Sequence, residues 1–188
     1  MDRRQALQNV ALLLGGTIVG GSLFLQGCKS ETAGADAALL TEDQIKYLDE
    51  VAETILPKTN TPGAKEAAVG AFMAVMVKDC YTKEQQDVFV KGLADIEKRS
   101  EAEFKNGFLK ITPEQRTTLL TALDKEQKEY QEKKEKDKPS HYFRMMKELT
   151  LLGFFTSKPG ATQALRYIAV PGKYEGCVDY KKGDRAWA

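Results

Sequence analysis

Apolar residues recur every three to four positions along most of this chain, which is the period of a half-buried α-helix. The first clear case follows the capping-box sequence TEDQ at residues 41–44, where Ile45, Leu48, Ala52 and Ile55 share one face. The same spacing predicts four more helices, over residues 65–78, over 82–106, from Thr112 onward, and over 141–154. No segment alternates apolar and polar residues as a half-buried strand does. We therefore predict an all-α, single-domain bundle of about five helices.

The apolar stripes also indicate how the helices pack. The residues predicted to face inward are Val69, Phe72, Met73 and Met76 in the second helix, Phe89, Leu93, Ile96 and Phe104 in the third, and Leu119, Leu120, Leu123 and Tyr130 in the fourth. The apolar residues of the fifth helix cover much of its circumference, which predicts that it is the central one. Gly107 is predicted to end the third helix, and Ser140 to cap the fifth.

An irregular tail rich in glycine and aromatic residues follows the fifth helix, with a short helical stretch predicted at residues 161–167. Such a tail stays ordered when it is held on its own domain or on a partner. Both interpretations stay open: the tail wraps its own helices, or it also docks a partner. The residues predicted for a partner interface are Phe154, Phe155, Tyr167, Tyr174 and Trp187.

The N-terminus has the pattern of an export signal. Arg3 and Arg4 precede an apolar run at residues 10–25 that contains four glycines and is too short for a comfortable transmembrane helix. The paired arginines are typical of a twin-arginine signal, and a chance pair in an ordinary secretory signal is the alternative. The run ends in LQGC, a lipobox-like sequence that predicts cleavage before Cys28 and its lipidation.

These features divide the chain into a signal at residues 1–28, a flexible tether at 29–40 and a helical domain at 41–188. The predicted location is the periplasm or cell envelope, with the protein anchored to a membrane by lipid on Cys28. The other two cysteines, Cys80 and Cys177, are candidates for a disulfide in an oxidising compartment, although sequence alone leaves open whether they meet.

Composition excludes several functions and suggests no chemistry of the chain's own. A formal net charge of +1 in 188 residues provides no basic face for nucleic acid. His141 is the single histidine and is predicted to cap a helix or lie at the surface. The chain has no CxxCH, CxxC or GxGxxG motif and no acid–base pair of carboxylates. We therefore predict no catalytic, cofactor-binding or metal-binding residue.

Two sequence stretches resemble a known family. GFFTSKPGATQALRY and VPGKYEGC, in the part of the chain from Leu149 onward, are similar to the C-terminal signature of the gluconate 2-dehydrogenase subunit 3 family. A helix running into an ILP…TPGA loop near residues 55–64 extends the resemblance. Members are small subunits of periplasmic, FAD-dependent sugar and sugar-acid dehydrogenases. The resemblance implies a large flavoprotein partner of the GMC type that binds FAD, and a cytochrome c subunit with covalent haem.

The resemblance leads to one functional hypothesis and leaves one alternative. The first is a non-catalytic subunit that helps its flavoprotein partner mature, cross the membrane and stay tethered there. The lipobox departs from the simplest family pattern and leaves open whether a cytochrome subunit is needed. The alternative is a stand-alone periplasmic lipoprotein that acts as a scaffold or binding protein.

Overall fold

The computed structural model describes residues 38–187, and this part of the chain is helical. Its five α-helices are α1 (Glu42–Ile55), α2 (Val69–Cys80), α3 (Lys83–Phe104), α4 (Pro113–Lys133) and α5 (Tyr142–Thr156). A 3₁₀ turn at Phe108–Lys110 lies between α3 and α4, and a π-helical turn at Gly160–Ala164 follows α5. The predicted all-α fold is confirmed, and no strand occurs between residues 38 and 187.

Three of the helices begin with the same reciprocal cap. Thr41, Thr82 and Thr112 each precede a helix, and their hydroxyls accept hydrogen bonds from the backbone N–H three residues later at 3.3–3.4 Å. The glutamine at that later position accepts from the threonine N–H in return, at 2.9–3.0 Å. Each cap satisfies donors that would otherwise lack a partner, so these three starts are fixed by local sequence.

Helix α5 lies at the centre of the bundle, as its sequence predicts. It contacts each of the other four α-helices. Its buried residues occupy most of its circumference: Tyr142, Phe143, Met145, Met146, Leu149, Thr150, Gly153 and Phe154. The one buried hydroxyl among the aliphatic neighbours, that of Thr150, donates to the Met146 carbonyl at 2.7 Å. The buried hydroxyl of Thr150 is therefore satisfied within α5 itself.

Two glycines allow close helix contacts. A Cβ on Gly92 of α3 would collide with the ring of Tyr142, and one on Gly153 of α5 would lie 2.6 Å from Cδ1 of Phe72. Both separations are shorter than real side chains permit. The approach of α3 and α2 to α5 therefore requires glycine at these two positions.

Two carboxylates of α1 hold the connection to α2. Glu53 accepts hydrogen bonds from the backbone N–H groups of Lys58 and Lys65, both at 2.9 Å, and its carboxylate occupies the space that a Cβ on Gly63 would need. Asp49 accepts from the Gly70 N–H at 2.7 Å. The two carboxylates therefore satisfy backbone N–H groups of the connection and hold it against α1.

Two predicted helix boundaries are wrong, and left-handed backbone explains both. Helix α2 begins at Val69 and not at residue 65, because Ala68 has φ of 53° and interrupts the helix. Helix α3 ends with Lys105 at φ of 60°, whereas Gly107 has φ of −65° and precedes the 3₁₀ turn. Neither left-handed residue is a glycine, so composition gave no signal for them.

Three smaller predictions also need correction. His141 caps α5 in place of Ser140, its Nδ1 accepting from the Phe143 N–H at 3.2 Å. The helical stretch predicted for residues 161–167 is the shorter π-helical turn. Tyr130, predicted to face inward, is 39% exposed, and its hydroxyl donates to the Pro139 carbonyl at 3.1 Å.

Candidate functional site

The C-terminal tail, residues 165–187, stands out because almost all of it is exposed although it has a defined path. One arginine near its end holds it to the turn where it begins. Nη1 of Arg185 donates to the carbonyls of Thr162, Gln163 and Leu165 at 3.1, 2.9 and 3.3 Å. Carbonyls at the end of a helical segment lack intrahelical donors, and a cation there is favourable.

A second contact closes the tail into a loop. The Arg166 N–H donates to the Ala186 carbonyl at 2.8 Å, within a parallel bridge between Arg166 and Trp187. The Arg166 guanidinium lies over the Trp187 ring, with its central carbon 4.5 Å from the ring centroid. Such a cation–π contact contributes about 0.5–1 kcal/mol at an exposed site. Ala186 and Trp187 therefore hold the tail closed through their contacts with Arg166.

The closed loop surrounds an open, mostly apolar concavity of about 900 Å³. Its lining is formed by Arg166, Ile168, Val170, Pro171, Gly172, Lys173, Tyr174, Glu175, Gly176, Val178 and Trp187. Nε of Arg166 is buried and has no hydrogen-bond partner. An apolar concavity with a few polar groups is the usual form of a binding site on a protein surface.

The five residues predicted for a partner interface divide into three groups. Tyr174 and Trp187, 94% and 51% exposed, both line the concavity. Phe155 and Tyr167 are also exposed but lie outside its lining. Phe154 is a correction: it is 4% exposed, because its side of α5 faces the core, so it is not available to a partner.

Sequence reasoning missed the other residues of this site. Ile168, Val170 and Val178 are between 49% and 82% exposed, which is unusual for aliphatic side chains and is visible only in the fold. Arg166 and Arg185 gave no signal either, because their partners are carbonyls and a ring from other parts of the tail.

The bundle also contains a polar cluster that resembles an active site in composition. Arg99 of α3 binds Asp95 through Nε at 2.7 Å, and holds both carboxylate oxygens of Glu126 on α4 at 2.6 and 3.0 Å. Tyr142 donates to the same Asp95 at 2.6 Å, and Nε2 of His141 lies 3.6 Å from Glu126. The cluster therefore joins α3, α4 and the start of α5.

The pKa shifts in this cluster are those expected of a salt-bridge network that stabilises the fold. Burial opposes the charge on Asp95, but hydrogen bonds from Tyr142 and Arg99 outweigh it and lower the pKa of that carboxyl. The hydrogen bond from Arg99 likewise lowers the pKa of Glu126, whereas burial lowers the pKa of His141 despite the nearby Glu126. The two ionised carboxylates and Arg99 therefore form a salt-bridge network. His141 is already used as the helix cap, and the cluster offers no activated nucleophile.

The remaining predicted residues have simple placements. Cys80 ends α2 and Cys177 lies in the exposed tail. Both are free and exposed in this structure, and the possible disulfide between them stays a prediction. Arg3, Arg4 and Cys28 lie outside the described residues. Among residues 38–187, no three His, Cys, Asp or Glu side chains are grouped for a metal ion, and no helix is long and apolar enough to cross a membrane.

Comparison with protein families gives one match. Residues 42–172 match the family model described as gluconate 2-dehydrogenase subunit 3. The match extends from the start of α1 into the tail, so it includes Arg166 but not Trp187. The comparisons with curated proteins and with solved structures found no match.

Proposed function

Because the chain belongs to the gluconate 2-dehydrogenase subunit 3 family, we propose that it is a non-catalytic small subunit of a membrane-associated dehydrogenase that oxidises gluconate or a related sugar. In this proposal the catalytic partner is a large flavoprotein of the GMC type, which binds FAD and determines the substrate. The small subunit helps that partner mature, cross the membrane and stay tethered. Whether a cytochrome c subunit that accepts the electrons belongs to the assembly stays open, because the lipobox at Cys28 would supply an anchor on this chain.

The exposed tail is the observation that carries the proposal. Large apolar side chains at this density are rarely left in water by a protein that works alone. Tyr174, Tyr180 and Val170 are 94%, 72% and 82% exposed, and the hydrogen bonds of Arg185 join the end of the tail to the turn where it begins. A surface held in place before binding loses less conformational entropy when a partner covers it. These properties support a role as a subunit.

The proposed export and anchoring depend on the N-terminal sequence. A twin-arginine signal at Arg3 and Arg4 would carry a folded, FAD-loaded partner across the membrane together with this chain. Lipid on Cys28 would then hold both subunits at the membrane surface of the periplasm. Each acyl CH₂ buried in the bilayer contributes about 0.8 kcal/mol, so several chains anchor firmly.

A binding experiment with matched variants tests the subunit role. The proposed partner, a GMC-type flavoprotein from the same organism, is purified with FAD and titrated with residues 38–188. We expect Tyr174→Ala to weaken binding about tenfold or more, because an exposed aromatic anchor is lost. The control Leu109→Ser alters a 49% exposed apolar residue on the 3₁₀ turn and should leave binding unchanged. No binding of the unaltered chain would contradict the proposal.

A further inference from the structure

Arg166 differs from the other arginines of the described chain in the partners of its guanidinium group. Arg99, Arg116 and Arg144 each bind a carboxylate, at 2.6–2.8 Å. Arg185 is satisfied by three carbonyls. The Arg166 guanidinium makes no hydrogen bond or ion pair within residues 38–187, and its Nε is buried. A buried donor without an acceptor is unfavourable, and more so when it is charged.

The surroundings of Arg166 favour an anion from outside the chain. Ile168, Val170 and Val178 line the same concavity and make it apolar, which strengthens the attraction between opposite charges. Glu175 is the one acidic residue of the lining, and it is paired with Lys173 at 2.6 Å. Among residues 38–187, no unpaired acidic side chain lines the concavity to compensate the charge of Arg166.

The Trp187 ring contacts the Arg166 guanidinium without using its hydrogen-bond donors. The guanidinium carbon lies 4.5 Å from the ring centroid, and the edge that Nη1 and Nη2 form donates to no residue between 38 and 187. A carboxylate can accept two parallel hydrogen bonds from such an edge, and this geometry makes arginine a better carboxylate ligand than lysine.

We propose that Arg166 binds the carboxylate of an Asp or Glu side chain on the flavoprotein subunit, and that an apolar side chain beside that acid fills the concavity. This inference rests on the proposed function and names the recognition element within it. A concavity of about 900 Å³ is large enough for several side chains. The partner segment is thus acidic and apolar, and the tail loop is its receptor.

Trp187 gives a direct reporter, because it is the only tryptophan of the chain. Residues 38–188 are labelled with 5-fluorotryptophan, so that one ¹⁹F resonance reports on the concavity while the unlabelled flavoprotein subunit is added. We expect that resonance to shift on binding. We expect Arg166→Gln to weaken binding 10- to 100-fold and to reduce the dependence of affinity on salt concentration.

Two further variants complete the test. Arg144→Gln removes an exposed arginine of α5 that is paired with Glu148, and it should bind as the unaltered chain does. Arg166→Lys keeps the charge but not the two parallel hydrogen bonds, and we expect a loss of at least fivefold. The resonance of each free variant, compared with that of the urea-unfolded chain, shows whether the tail loop is intact.

The outcomes separate this inference from the proposed function. If the unaltered chain binds and both Arg166 variants bind equally well, the carboxylate site is wrong while the subunit role stands. If Arg166→Gln disrupts the tail loop, its loss of binding is not informative, and Arg166→Lys is compared with the unaltered chain instead. Equal affinity of these two proteins would overturn the inference. If the unaltered chain does not bind the flavoprotein subunit at all, both proposals fail.

Discussion

The hydroxyl of Tyr142 donates to Oδ2 of Asp95 at 2.6 Å, so the first residue of the central helix is tied to the middle of α3. The same carboxylate accepts from Arg99, which continues the network to Glu126 on α4. Removal of the phenolic oxygen would leave the aromatic packing of Tyr142 in place. The contribution of this one hydrogen bond can therefore be measured separately.

We expect Tyr142→Phe to lower the free energy of unfolding by about 1 kcal/mol, the usual contribution of a partly buried hydrogen bond to a charged acceptor after allowance for solvent. Urea denaturation followed by circular dichroism measures this. Tyr180→Phe changes a 72% exposed tyrosine in the tail and serves as the control, with no expected change. Equal stability of the two variants would show that the contact contributes nothing.

A second prediction concerns acid stability and Asp124. Burial opposes the charge on Asp124, but hydrogen bonds from Lys147, Lys128 and Gln127 outweigh it and lower its pKa to about 2. An aspartate in an unfolded chain titrates near about 3.9. The pKa of Asp124 is lower in the folded chain than in the unfolded chain, so its ionised carboxylate stabilises the fold. This contribution to the free energy of unfolding is complete above about pH 5 and is lost as pH falls through about 4 toward about 2.

The variant Asp124→Asn should therefore lower the free energy of unfolding by about 2 kcal/mol at pH 6 and much less at pH 2.5. Urea titrations at several pH values measure the difference. Asp137→Asn, at an exposed position after α4, is the matched control and should follow the unaltered chain. A constant difference between Asp124→Asn and the unaltered chain across this pH range would contradict the assignment.

The helices and their arrangement could largely be predicted from sequence, because their causes are local. Thr41 and Thr112 start capping boxes that are visible as sequence, and the apolar period identified α5 as central. The wrong helix boundaries occur where a residue adopts a backbone conformation that its type rarely adopts. Ala68 and Lys105 adopt left-handed conformations that residues with a Cβ rarely adopt, so surrounding contacts, not composition, determine these helix ends.

The site was predictable only in part, because it depends on contacts between distant residues. Tyr174 and Trp187 were chosen as exposed aromatics, and both line the concavity. Phe154 was grouped with Phe155, although adjacent residues of a helix point in directions about 100° apart, and one of them is buried. The proposed role of Arg166 depends on the contact with Trp187, twenty-one positions later in the chain, which no local pattern indicates.

A third prediction concerns Gly160, at the junction between α5 and the tail. A Cβ at this position would collide with the carbonyl oxygen of Phe154, a backbone atom that cannot turn away. We expect Gly160→Ala to lower the free energy of unfolding by about 1–3 kcal/mol, the usual cost of overpacking. Gly176→Ala meets only the movable ring of Tyr174, at 3.2 Å, and should change stability by less than about 0.5 kcal/mol. Equal effects would contradict this account of the junction.

A fourth prediction concerns the loop between α1 and α2. Glu53→Ala removes the acceptor for the N–H groups of Lys58 and Lys65, and we expect it to lower the free energy of unfolding by about 1–2 kcal/mol. Hydrogen exchange of these two amides should accelerate. Glu66→Ala removes only the exposed ion pair with Lys58 and should cost less than about 0.5 kcal/mol. Unchanged exchange in Glu53→Ala would show that the loop is held in another way.

The most direct test of the subunit role is native mass spectrometry of the assembly. The full chain, residues 1–188, is expressed in its native host, and the membranes are extracted with mild detergent without added partners. The account predicts a complex that contains this chain and one large flavoprotein in equal numbers, with FAD on the larger subunit. Recovery of the chain alone and without flavin, from membranes that still contain the flavoprotein, would contradict it.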